Sequence, residues 1–200
     1  MIGSVAKGMK TGLGVLAATL ALGACKTLET TPAAPLQQGY TCCNLHHEGD
    51  WISDSNYAGL PMVPAGTPVK VLSYGRYRAH VDMNGKPFRF GQDYGREQES
   101  TEKWVSKLVV TEDPKLKLAS YPKQVQEAIK AGQLMKGMTK EQVLMSVGYP
   151  LTNENPSLDA PVWRYWRSSF DEYQVEWDKQ GRVKNIAAHP MSLPLIEYKK

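Results

Sequence analysis

Chemistry-bearing side chains are densest in one short stretch, Thr41-Cys42-Cys43-Asn44-Leu45-His46-His47-Glu48-Gly49-Asp50-Trp51. Two thiols, two imidazoles and two carboxylates within nine positions are the donor set of a metal centre. Structural zinc sites, however, space their ligands as in Cys-x-x-Cys so that the side chains converge, whereas neighbours on a strand point to opposite faces. The favoured reading of Cys42, Cys43, His46, His47, Glu48 and Asp50 is therefore a strand with mixed faces. A metal-dependent enzyme or sensor built on these residues is the minor alternative, with His46 and His47 as its weak candidate ligands. Elsewhere there is no Gly-x-Ser-x-Gly elbow, no His-Glu-x-x-His and no Gly-rich phosphate loop. No nucleophile and base are paired by any recognised spacing, so the expectation is a protein that is not an enzyme and carries no dissociable cofactor.

The third cysteine, Cys25, has different surroundings. Lys7 and Lys10 precede an uncharged run of 13 residues, Gly12 to Ala24, that ends in small side chains. A membrane-spanning helix needs ~20 apolar residues, so the run is too short to span and has the layout of an export signal. Leu22-Gly23-Ala24-Cys25 resembles the lipobox of bacterial lipoproteins. The resemblance implies removal of residues 1–24, a diacylglycerol on the Cys25 sulfur and an acyl chain on its new amine. Several chains would hold the protein to a membrane, at ~0.8 kcal/mol per buried methylene. Lys26 stands where an aspartate commonly marks inner-membrane retention in that family, which implies the periplasmic face of the outer membrane.

Export fixes two further expectations. An oxidising compartment leaves Cys42 and Cys43 three fates: a ring between neighbours, a bond to another chain, or burial as small apolar groups. Removing the first 24 of 200 residues also takes away Lys7 and Lys10, leaving 176 residues with 22 basic and 20 acidic side chains, a formal charge of +2. That near balance, without a basic run, argues against a nucleic-acid partner.

The elements that would position these residues follow in order. Residues 25–39, KTLETTPAAPLQQG after the cysteine, lack apolar periodicity and read as a tether. Extended, it reaches roughly 45–50 Å. Residues 40–113 carry all-β punctuation: Pro64-Ala65-Gly66, Asn84-Gly85 and Gly91 separate runs rich in Val, Tyr and Phe. Asn84-Gly85 predicts a tight hairpin between Tyr77–Met83 and Lys86–Phe90. Thr67–Leu72 and Trp104–Val110 are the other clear strand candidates in a small barrel of about five strands. Val63-Pro64-Ala65-Gly66-Thr67-Pro68-Val69-Lys70-Val71 resembles the entry to bacterial Src-homology-3-like barrels, which implies a binding module for peptides or wall fragments. Gly91-Gln92-Asp93-Tyr94-Gly95-Arg96-Glu97-Gln98-Glu99 reads as a polar surface loop, with ligand contact as the alternative.

From Ser120 the pattern changes. Pro122 opens a short amphipathic helix bearing Val125, Ala128 and Ile129, and Gly132 stops it. A second helix follows: Thr139 and Gln142 form a capping box, Val143, Leu144 and Val147 make the buried stripe, and Gly148 with Pro150 ends it. Period-two alternation then predicts strands at Val162–Ser168, Glu172–Asp178 and Arg182–Ala188, with Tyr173, Val175 and Trp177 on one buried face.

Gly137-Met138-Thr139-Lys140-Glu141-Gln142-Val143, Gly148-Tyr149-Pro150, Trp163-Arg164-Tyr165 and Trp177-Asp178-Lys179-Gln180-Gly181-Arg182-Val183 resemble the SmpA/OmlA (BamE-like) family of outer-membrane lipoproteins. The resemblance covers residues 120–188 and implies an α-α-β-β-β two-layer domain. It also implies protein binding without catalysis and a link to outer-membrane β-barrel assembly. Placing Trp163 and Tyr165 in the core leaves Arg164 and Trp166 on the opposite sheet face, where Trp beside Arg suits a protein-docking patch. The sequence thus reads as an α+β chain, a β barrel followed by a BamE-like domain and a tail at 189–200. The function expected is a lipid-anchored scaffold or accessory subunit of an envelope complex. A peptidoglycan-binding adaptor is the alternative.

Overall fold

The computed structural model describes Gly3 and residues 34–199. Cys25, the export signal and most of the tether lie outside the described residues.

Side-chain alternation builds the first half. Strands β1 (Gln37–Thr41), β2 (Leu45–His46), β3 (Trp51–Ser53), β4 (Met62–Val63), β5 (Pro68–Tyr74), β6 (Arg78–Met83) and β7 (Lys86–Gly91) precede helix α1 (Thr101–Leu108) and strand β8 (Val109–Val110). A curled six-stranded sheet has the order β3-β7-β6-β5-β1-β8, antiparallel except for the β3–β7 pair. A separate ladder joins β2 and β4. The β6–β7 hairpin turns at Asn84 and Gly85, with φ of 52° and 81°, and Met83 faces Lys86 across it. Only a residue tolerant of positive φ fits either position. Pro87 meets Asp82 on one side, and β3 does not begin pairing on the other until Arg89, so no ladder donor is missed there.

Two expectations need correction here. Trp104–Leu108 is helix, not strand, and only Val109 and Val110 enter the sheet. Ser100 caps this helix by accepting from the Lys103 amide, and Trp104, Val105 and Leu108 fall on one helical face that closes the sheet's core. Their run of apolar residues is read equally well at either period. The tether also ends earlier than Gly39, because Gln37 pairs with Val71 and its side chain donates to the Val109 carbonyl.

Helices α2 (Pro114–Ser120), α3 (Lys123–Lys130) and α4 (Lys140–Val147) come next, then β9 (Val162–Ser168), β10 (Asp171–Trp177), β11 (Val183–Ala188) and the short α5 (Leu193–Ile196). The fold is mixed α+β. At α4 the capping box is complete: Thr139 accepts from Gln142 N, and Gln142 Oε1 accepts from Thr139 N at 2.9 Å. β9, β10 and β11 form an antiparallel sheet in the order β11-β10-β9. Tyr173, Val175 and Trp177 are buried against Ile129, Val143 and Val147 of the helices. The tail is pinned rather than loose, since Tyr198 donates to Leu134 and Ile196 is buried. Among the described residues no helix is long and apolar enough to cross a membrane.

Two hydrophobic cores result, one within the curled sheet and one between the helices and the three-stranded sheet. Buried asparagines join them. Asn44 Nδ2 donates to the carbonyls of Ile129 and Ser146, and its Oδ1 accepts from Ala65 N. Asn56, at φ 44°, donates to Asn44 O and Val147 O while accepting from His46 N. α4 is consequently buried on nearly its whole circumference. Leu144 is the exception to its expected stripe, being only half-buried and open on one side.

Candidate functional site

The open side of Leu144 faces a groove of about 440 Å³. Three elements build it. After β1 the chain turns inward at Cys42, whose amide donates to Leu108 O, and Asn44 N then bonds to Met145 O of α4. Cys42 and Cys43 are joined to each other by a disulfide, the ring between neighbours among their three fates. Their side chains form one wall with Val110. α2 supplies the second wall: Asp113 caps it, Pro114 sits at its first turn, and Leu116 stands 77% exposed beside the groove. Leu144, Met145 and Tyr149 complete the floor.

The rim is acidic. Glu112, Asp113 and Glu141 line it with a single cation, Lys117, which forms an ion pair with Glu141 across from α2 to α4. Neither Glu112 nor Asp113 forms an ion pair among the described residues. Burial raises the Tyr149 phenol above its usual range, and Lys107 lies over its ring at 5.8 Å. Burial, reinforced by Glu141, pushes nearby Tyr121 up to about 12. Both phenols therefore stay neutral, and the groove combines apolar walls, a sulfur pair and unpaired carboxylates. Such a surface offers apolar burial beside negative charge.

The imidazoles named from the sequence do not join the disulfide. His46 is buried at the asparagine seam, where desolvation lowers its pKa to about 4. His47 sits at the surface, its Nδ1 on Gly49 O and its ring edge-on to Phe88. Asp50 holds Arg89 in a two-pronged ion pair and takes no part in a shared site. With both sulfurs oxidised, Cys42 and Cys43 offer no thiolate. Among the described residues no three His, Cys, Asp or Glu side chains converge.

Trp163 and Tyr165 are buried, and Arg164 and Trp166 project from the opposite face of β9. Arg164 pairs with Glu172 at 3.3 Å, and the Trp166 indole donates to Glu154 at 2.8 Å. Neither lines the groove. Sequence reading placed no groove here, and of its lining singled out only Cys42 and Cys43 as site residues, so that Glu112, Leu116, Lys117, Leu144 and Met145 were missed as such. Lys115-Leu116-Lys117-Leu118 alternates like a strand, but in the helix Leu118 turns inward and Leu116 outward. Asp113-Pro114 was the available signal for that helix start. No known protein family, curated protein or solved structure matches this chain.

Proposed function

We propose that this protein is a lipid-anchored, non-catalytic adaptor of the bacterial envelope whose disulfide-walled groove seats a basic, apolar segment of a partner protein. The carrying observation is the groove itself: Leu116, Leu144, Met145 and the Cys42–Cys43 pair under a rim of Glu112, Asp113 and Glu141. Seating one Leu or Phe side chain there contributes ~1.5–3 kcal/mol, and Glu112 and Asp113, which form no ion pair among the described residues, favour Lys or Arg beside it. Arg164 and Trp166 stand on β9 and do not line the groove; their polar atoms engage Glu172 and Glu154.

The anchoring half of the proposal rests on Cys25 and its lipobox resemblance. The order of two helices followed by three antiparallel strands, from α3 to β11, supports the SmpA/OmlA resemblance and with it a place on the periplasmic face of the outer membrane. Mass measurement of the native amino terminus tests the anchor, and a diacylglycerol with an N-acyl chain on Cys25 is the expected result. For the groove, the test is purification from detergent-solubilised membranes with the native chain and with Leu116→Glu. The account expects a captured protein with a Lys- or Arg-flanked apolar segment, released by salt and lost in the variant. Capture unaffected by Leu116→Glu contradicts it.

A further inference from the structure

A second concavity lies away from the groove, in two adjoining chambers of about 260 and 220 Å³ that share Tyr57, Tyr94 and Ser169. The first extends to His46, Trp51, Ser55 and Asp93, and the second to Leu151, Glu154 and Trp166. Several contacts fix this shape. The buried Asp54 carboxylate accepts from the amides of Asp93, Tyr94 and Gly95 and so holds the loop in place. Asp93 Oδ2 in turn accepts from Trp51 Nε1 and Ser53 Oγ, at 2.9 and 2.8 Å. On the other side, Ala58 N and Gly59 N donate to the carbonyls of Trp166 and Arg167, strapping the 57–59 segment to β9. The Tyr57 and Tyr94 hydroxyls meet at 3.1 Å.

Two buried residues of the lining each carry a polar atom without a partner. His46 is 4% exposed and Ser55 6% exposed, yet His46 Nδ1 and Ser55 Oγ make no hydrogen bond in the protein. Leaving a buried polar group unmade costs ~1–3 kcal/mol, so such atoms beside a cleft are ones that a hydrogen-bonding ligand or water would satisfy. No Lys or Arg lines either chamber, and Glu48, Asp93 and Glu154 do, which disfavours an anion. A quaternary ammonium in an aromatic cage fits poorly too: it cannot hydrogen-bond to His46 or Ser55. The Trp51 ring, moreover, already carries Arg89 and Arg78 at 5.1 and 5.7 Å.

We infer that this cleft binds a neutral saccharide chain, with Tyr57, Tyr94 and Trp166 taking the apolar faces of the sugar rings and His46, Ser55, Glu48 and Asp93 taking the hydroxyl and amide groups. The chambers together fall within the ~300–1,000 Å³ range of small-molecule sites. The inference does not depend on the groove, because the two share no residue.

The test is calorimetric titration of the folded protein with cellotetraose, with the tetramer of N-acetylglucosamine, and with tetramethylammonium. Expected is submillimolar binding of at least one tetrasaccharide and none of the ammonium ion. Tyr94→Ala, at a side chain half exposed, should weaken binding at least tenfold. Ser55→Ala should weaken it while leaving thermal stability equal or higher, because its hydroxyl has no protein partner to lose. A merely structural Ser55 predicts the reverse pattern. Failure of both tetrasaccharides to bind, preferential binding of tetramethylammonium, or unchanged affinity in both variants overturns the inference. Leu116→Glu serves as the control that should leave saccharide binding intact.

Discussion

Replacing Asn44 with Ala should uncouple the two cores. The side chain is 1% exposed and makes three hydrogen bonds: to Ile129 O at 2.6 Å, to Ser146 O at 2.9 Å and from Ala65 N at 3.0 Å. Truncation removes all three and leaves the Ser146 carbonyl and the Ala65 amide without partners in a buried seam, while Ile129 O keeps its bond from Gly132 N. Each of the two stranded groups costs ~1–3 kcal/mol, reduced where the protein relaxes or water enters, so the total is roughly 2–4 kcal/mol. That is a large share of the ~5–15 kcal/mol that holds a domain folded. Urea unfolding followed by both far-ultraviolet circular dichroism and tryptophan fluorescence measures it. The native chain should show coincident transitions, since Trp104 reports one core and Trp163 with Trp177 the other. Asn44→Ala should lower the midpoint and separate the two probes. Ser106→Ala, which loses one exposed bond to Lys103 O, should shift stability by less than about 0.5 kcal/mol. A loss below about 1 kcal/mol for Asn44→Ala, with the probes still coincident, refutes the seam as the coupling element.

Three other outcomes are expected. His46 has its pKa lowered to about 4 by burial, against 6.5 when unfolded, so the unfolded chain takes up a proton first as pH falls. Stability present above pH 6.5 should therefore decline by about 3 kcal/mol toward pH 4, a slope absent from His46→Gln in matched urea titrations. Asp54, raised by burial, contributes the opposite sign just above its usual range, and comparing the two chains cancels it. Gly91→Ala would place its Cβ 1.9 Å from Trp51 Cζ2, so Trp51 must give up Asp93 and Arg89, costing ~1–3 kcal/mol and changing tryptophan fluorescence. Reducing the Cys42–Cys43 disulfide opens the smallest possible loop, so stability should fall by only about 1 kcal/mol. The groove wall nevertheless changes, and a readout of partner affinity should respond while the melting curve hardly moves.

Local chemistry was legible in the sequence. The Asn84-Gly85 hairpin, the Thr139–Gln142 capping box and the alternation of Tyr173, Val175 and Trp177 each depend on residues within a few positions of one another. Trp104–Val110 was not, because consecutive apolar residues satisfy a strand and a helix alike, and the Ser100 cap decides between them. The groove and the cleft escaped for a different reason. Cys42, Leu116 and Leu144 meet only when α2 and α4 pack beside β1, and His46, Tyr94 and Trp166 come from three distant segments. Asn44 and Asn56 look like ordinary turn residues until their partners, up to 102 positions away, are known.

The groove's occupant is reached most directly by placing a photoreactive phenylalanine analogue at Leu116 in living cells and sequencing the crosslinked peptide. The account predicts one dominant peptide carrying apolar residues beside Lys or Arg, absent when the probe stands at Lys184 on β11, which does not line the groove. Acidic or wholly polar peptides, or the same products from both positions, would contradict it.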